Sequence, residues 1–285
     1  MAKYRVPYLF IAPFFLLFFV FQLIPVFWTA YISFTNWNGF NLPRWNGLDN
    51  YRLLVQDYMV RDALFNTAAY WISNIVIILL FSTLIALCLR RKGLIFKRFF
   101  STAVFLPYVC ASVAMGLIFG MLFDENAGFI NEVIVVLGGK RIPWLTSSEF
   151  TKLPVIILLN WRAVPWFTII IYSGMLNISF EYYEAATIDG ASEFQQFTRI
   201  TLPCLKNILF FCTLTITVDT WKMFNESYTL KGPGSSNMSL FQLIYQYGFT
   251  TFRLGYASSL SMLLIGILFL ISVLQFVVKR RDGEI

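Results

Sequence analysis

Residues 63–89 read ALFNTAAYWISNIVIILLFSTLIALCL, without a single Asp, Glu, Lys or Arg. A helix rises 1.5 Å per residue, so about 20 apolar residues cross a hydrocarbon core roughly 30 Å thick. This run is long enough to do so. Three more charge-free runs lie along the chain: residues 8–33, 99–123 and 254–278. Two weaker apolar stretches complete the pattern, one carrying Arg162 and the other Asp219 and Lys222. The reading is an all-α polytopic membrane protein, a single transmembrane domain over residues 1–285. Its six helices are expected at 8–33, 63–89, 99–123, 153–176, 204–224 and 254–278.

Composition agrees. Of 285 residues 58% are hydrophobic and 13% charged, where soluble domains carry about 25% charge. Disorder and an ordinary soluble domain are excluded on that balance. There is no His, which removes Ser/His/Asp and Cys/His triads and most zinc chemistry. Cys88, Cys110, Cys204 and Cys212 form no CxxC pair and sit in or beside apolar stretches, so they read as small packing residues. No catalytic residue and no metal site is expected. The formal charge of +7 is read through the positive-inside rule rather than as a nucleic-acid footprint.

Lys3 and Arg5 precede the first run, which is longer than a signal-peptide core and lacks an A-x-A-like cleavage site. It is expected to be retained. Short basic clusters abut helix ends at Lys3 and Arg5, at Arg90, Arg91, Lys92, Lys97 and Arg98, at Arg199 and Lys206, and at Lys279, Arg280 and Arg281. All fall on one side if the N-terminus is cytoplasmic, so both termini are expected there. Residues 177–206 then form a cytoplasmic loop.

That loop is punctuated. Glu181 and Glu184 suit the first turn of a short helix, and Asp189-Gly190 is a turn signal. Ser192 and Gln195 have capping-box spacing for a second helix through Arg199. Pro203 suits the first turn of the next span. The run Glu184-Ala185-Ala186, three residues, Gly190, nine residues, Ile200, one residue, Leu202-Pro203, with Asp189-Gly190-Ala191 inside it, resembles the EAA loop of ABC importer permeases. Leu106-Pro107-Tyr108, Asn160-Trp161, Gly232-Pro233-Gly234, Gly255-Tyr256-Ala257-Ser258 and the N-terminal pattern ending at Asn36-Trp37 resemble the maltose/glycerol-phosphate-type carbohydrate branch. The segment between Phe224 and Pro233 is shorter than usual for that branch.

The resemblance implies the type I importer permease fold in a prokaryotic cell membrane. It implies that Glu184, Ala185, Ala186, Asp189, Gly190, Ala191, Ile200 and Pro203 belong to coupling helices that dock on a cytoplasmic ATPase. The implied partners are a second permease, two ATP-binding subunits, an extracytoplasmic solute-binding protein and a carbohydrate substrate. Gly138-Gly139-Lys140-Arg141 lacks the hydroxyl residue of a Walker A loop. No cofactor is therefore expected in this chain; ATP and Mg belong to the partner subunits, and the chain is a transporter subunit rather than an enzyme.

Polar groups inside spans are costly and face a cavity or another helix. Thr213, Thr217 and Thr220 fall at i, i+4 and i+7, on one helical face. Their hydroxyls either line a cavity or bond back to their own helix. Asp219 should not face lipid. Trp161, Trp166 and Arg162 offer stacking surface and a donor, although Arg162 could instead pair with an acid in a helix contact. The family resemblance adds Tyr108 and Trp166 as sugar contacts. A self-powered secondary transporter is the alternative, and it calls for inverted repeats and more titratable groups in the spans than are found.

Overall fold

The computed structural model describes residues 5–90 and 97–281. Lys3, Arg91 and Lys92, used above for orientation, lie outside them. The described chain is helical apart from loops and one short ribbon. Helix α1 (Arg5–Phe18) runs through a π-turn into α2 (Ile24–Ile32), and the antiparallel pair β1 (Thr35–Asn36) and β2 (Arg44–Trp45) follows. Then come α3 (Asp49–Gln56), α4 (Tyr58–Arg90), α5 (Lys97–Val109), α6 (Ser112–Leu122), α7 (Phe129–Val136) and α8 (Lys152–Leu176). After these lie α9 (Phe180–Ile188), α10 (Glu193–Gln196), α11 (Leu202–Cys204), α12 (Lys206–Trp221), α13 (Asn225–Thr229), α14 (Leu240–Tyr245) and α15 (Leu254–Arg281).

Four helical stretches are long and apolar enough to cross a membrane: Phe10–Ile32, Tyr58–Arg90, Lys152–Leu176 and Leu254–Arg280. The other two expected spans differ from simple rods. The apolar run at 99–123 is not one helix: Thr102–Val109 and Ser112–Leu122 meet at 99°. Pro107 has no N–H for the carbonyl four residues back, and Ala111 is extended at φ −60°, ψ 125°. The run at 204–224 yields α12, only 16 residues long, about 24 Å at 1.5 Å per residue. It reaches membrane length only together with Glu193–Cys204, at a bend of 66°. Among the described residues, then, four helices are long and apolar enough to cross a membrane, or up to six if each bent pair counts as one span.

Packing divides the chain into two compact units, residues 1–61 with 241–269 and residues 62–240 with 270–285. In the first, Asn50 donates to the Ser33 and Thr35 carbonyls at 2.8 and 2.9 Å, tying α3 to the start of the ribbon. Asp57 accepts from the Tyr247 and Tyr256 hydroxyls at 2.6 and 2.8 Å. Burial pushes the Asp57 carboxyl up. Those two hydroxyls and the Met59 and Val60 amides outweigh it and hold the group below the usual carboxylate range. Burial and the bond to Asp57 push Tyr247 up.

The second unit holds two apolar cores. Tyr70, Phe119, Phe123, Trp144, Val155, Leu158, Met223 and Leu230 form one. Ile78, Ala86, Phe167, Ile171, Met175, Leu205, Cys212 and Ile216 form the other. Residues of α4 and α8 belong to both, and α12 contributes Cys212 and Ile216 to the second. A Cβ on Gly116 would sit 2.0 Å from the Thr229 hydroxyl oxygen, so only glycine lets α6 and α13 approach this closely. The Asn225 side chain donates to Ser112 Oγ across the same contact at 2.7 Å.

Candidate functional site

Residues 179–204 form the first half of the site. Ser179 caps α9 by accepting from the Glu181 amide. The helix ends as its sequence dictates: Gly190 takes φ +75°, its N–H bonds the Thr187 carbonyl at 3.1 Å, and the Ala191 N–H bonds Ala186 at 2.8 Å. That is the Schellman pattern, which glycine favours because it has no Cβ to clash. Ser192 and Gln195 then form the reciprocal capping box of α10. The helix continues past Arg199 through a π-turn at Phe197–Thr201 into α11, with Pro203 in its first turn.

This hairpin is pinned from inside. Tyr183 is buried, and its hydroxyl lies 2.8 Å from Thr201 Oγ1. The Arg90 guanidinium, at the end of α4, sits 4.0 Å above the Tyr183 ring, a cation–π contact. Gly174 on α8 lets Leu205 and Ile208 pack where a Cβ would meet Ile208 at 2.2 Å. Glu184, Ala185, Asp189 and Gly190 are exposed, and Ala186, Ala191 and Ile200 partly so. Ile188 and Phe194, 87% and 74% exposed, project from the same hairpin. The motif residues therefore present a rigid outer surface, while Arg90, Tyr183 and Thr201 hold it from behind.

The second half is a cavity of about 170 Å³ among α4, α5, α8, α12 and α13. Tyr108, Arg162, Asp219 and Thr220 line it together with Asn74 and Glu226. Arg162 Nη1 donates to Glu226 Oε1, with the two side chains 22% and 8% exposed. Asn74 donates to Thr220 Oγ1 at 3.1 Å and accepts from Asn160 at 3.0 Å. The Trp166 ring stacks on Tyr108, centroids 4.9 Å apart and planes 14° from parallel, and both are about 40% exposed. Such a half-open aromatic pair beside hydrogen-bonding groups suits a ligand with an apolar face and a polar rim.

The expected path residues thus divide. Tyr108, Trp166, Arg162 and Thr220 come together at the cavity. Thr217 does not join them: its hydroxyl donates to the Thr213 carbonyl at 2.7 Å and accepts from Trp71 Nε1 and Gln275 Nε2, each at 2.9 Å. Thr213 bonds back to the Leu209 carbonyl at 2.8 Å. Trp161 lies against Phe119, 5.4 Å between centroids. One helical face covers enough arc for Thr220 to reach the cavity while Thr217, nearly a turn earlier, meets two other helices. Reasoning from sequence passed over Asn74, Glu226, Arg90, Tyr183 and Thr201. Asn74, an amide in the middle of the apolar run of α4, was a signal that could have found it.

Comparison with known proteins gives the family and the fold. The model of the binding-protein-dependent transport system inner membrane component family matches residues 78–282. The chain belongs to that family, and is a membrane-embedded permease subunit of an ABC transporter, not its ATPase. It is 31% identical to the probable ABC transporter permease protein YurN of Bacillus subtilis, covering 98% of this chain and 97% of that protein. It is 30% identical to the arabinooligosaccharides transport system permease AraP of Bacillus subtilis, covering 96% and 88%. It is 31% identical to the lactose transport system permease LacF of Rhizobium radiobacter, covering 96% and 94%. A crystal structure of a bacterial ABC transporter involved in import of the acidic polysaccharide alginate shares the fold: TM-score 0.85, 20% identity, 99% of this chain and 98% of that one.

Proposed function

We propose that this chain forms half of the translocation path of an ATP-driven carbohydrate importer in a prokaryotic cell membrane. In this reading it crosses the membrane six times, with both termini cytoplasmic. A second permease completes the path, two ATP-binding subunits power the complex, one of them docking on the 177–206 loop, and an extracytoplasmic binding protein delivers the sugar. ATP binding and hydrolysis on the partners rock the hairpin carrying Glu184–Ala191, and α4, α8 and α12 follow it. The chain itself supplies positioning and no bond chemistry.

The observation that carries the reading is the stacked Tyr108–Trp166 pair beside the cavity that Arg162 and Thr220 line. Sugar rings have apolar C–H faces and hydroxyl edges, and this arrangement meets both. The relatives named for arabinooligosaccharides and lactose support the same class of substrate.

The test is reconstitution. The complete complex in proteoliposomes should take up sugar with ATP and the binding protein, and Trp166→Ala should raise the substrate concentration needed for half-maximal uptake. The chain purified alone should neither hydrolyse ATP nor transport. Uptake by the single chain under an ion gradient would sink the reading.

A further inference from the structure

The charges around the cavity are unequal. Among the described residues Arg162 is the only cation that lines it, and Asp219 and Glu226 are the two acids. Arg162 is already committed to Glu226, whose side chain is 8% exposed. Lys222, three residues beyond Asp219, acts on that carboxylate from an exposed position and does not itself line the cavity. The lining therefore carries more negative than positive charge, and its cation is neutralised.

One polar atom is left over. Arg162 Nε is buried with no hydrogen-bond partner among the described residues, and buried donors without partners are rare. A neutral oxygen, such as a sugar hydroxyl or ring oxygen, enters beside Arg162 without disturbing the Arg162–Glu226 pair. A carboxylate or phosphate would compete with Glu226 for the guanidinium and leave a buried acid unpaired. It would also meet the Asp219 charge where the low-dielectric wall strengthens repulsion.

We infer that this cavity admits uncharged saccharides and excludes acidic ones, with Asp219 as a specificity-determining residue. The inference rests on the carbohydrate reading above and narrows it: uronates and sugar phosphates are the wrong substrates.

The experiment measures direct binding, so that the binding protein does not impose its own preference. The assembled complex with its ATP-binding subunits, in detergent and without the binding protein, is probed by equilibrium dialysis. The neutral probes are lactose, maltotriose and arabinotriose; the acidic probes are digalacturonate and glucose 6-phosphate. At least one neutral probe should bind and lose affinity on Trp166→Ala, and the acidic probes should bind at least about tenfold more weakly. Asp219→Asn, and independently Asp219→Ser, should narrow that gap to about threefold or less, as loss of one like charge requires. Size-exclusion chromatography identifies whichever variant assembles.

Acidic probes that bind wild type as well as neutral ones overturn the inference and leave the carbohydrate reading standing. A gap that neither Asp219 variant changes overturns the role of Asp219 in the same way. Binding of no probe, or binding indifferent to Trp166→Ala, overturns the carbohydrate reading and the inference with it.

Discussion

The 179–204 hairpin and the cavity are built on opposite logic. In the hairpin nearly every defining bond is local: Ser179 to Glu181, Gly190 to Thr187, Ala191 to Ala186, Ser192 to Gln195. In the cavity the defining bonds join residues far apart, 64 positions for Arg162 and Glu226 and 146 for Asn74 and Thr220. A local motif holds its shape wherever the surrounding helices move, which suits a part that must be gripped from outside. A surface assembled from four or five elements changes shape when any of them shifts, which suits a part that must open and close. Rigidity and responsiveness follow from the sequence separation of the contacts.

This contrast can be broken first at the cavity. Glu226→Ala leaves the partly buried Arg162 charge without its carboxylate partner, and should destabilise by about 3 kcal/mol, the low end for a buried pair. The drop in melting temperature of the purified complex measures it. A double variant, Arg162→Met with Glu226→Leu, should recover most of the loss in stability. If the single variant melts like wild type, the pair is not structural and the non-local account fails.

Next comes the hairpin. Gly190→Val places a β-branched residue at φ +75°, costing about 1–2 kcal/mol and shifting the turn. No side chain lies within 4 Å of the position, so the penalty is purely one of backbone conformation. Transport-linked ATPase should fall severalfold, and Gly190→Asn, which tolerates this region, should stay near wild type. Equal losses in both would show that the hairpin's turn is not what matters.

Thr217→Val sharpens the comparison from the other side. It leaves Trp71 Nε1 and Gln275 Nε2 without their shared acceptor. The cost should be about 1–3 kcal/mol of stability, with the apparent affinity for substrate unchanged. Thermal melting beside an uptake titration separates the two. A large rise in half-saturating substrate would return Thr217 to the cavity.

Arg90→Gln removes the cation over Tyr183, worth about 0.5–1 kcal/mol, and should lower the ratio of transport to ATP hydrolysis modestly. The smallest effect concerns acid. Asp57 is held below its usual range in the folded protein, so the stability it contributes is present above the ordinary carboxylate range. That contribution is lost as pH falls through the lowered folded value. Removing the Tyr247 hydroxyl with Tyr247→Phe should flatten this acid limb in melting curves recorded against pH.

The hairpin was legible in sequence because capping and turn chemistry act over three to six residues, and Ser192, Gln195 and Gly190 state them directly. The long apolar runs were legible for the same kind of reason. The cavity was legible only in half. Thr213, Thr217 and Thr220 fix a face of α12, but periodicity cannot say that Thr217 meets Trp71 and Gln275 while Thr220 meets Asn74. The partner of Arg162 lay beyond the apolar run, on the short helix α13, where nothing local marks it. The break at 110–111 was missed because its one signal, Pro107, stands three residues before it, inside a run with no charged interruption.

That break has a consequence for how the protein is made. The contacts that seat α6 come from α13, through Gly116 against Thr229 and Ser112 with Asn225, a separation of 113 residues. During synthesis residues 99–123 emerge when only earlier elements, such as α4 with Tyr70, can meet Phe119 of α6, and its α13 side is still absent. The close α6–α13 approach cannot form until residues 225–229 have left the ribosome, so a nascent chain truncated before Asn225 should carry all of the cavity's aromatic pair and lack the α13 part of that seating.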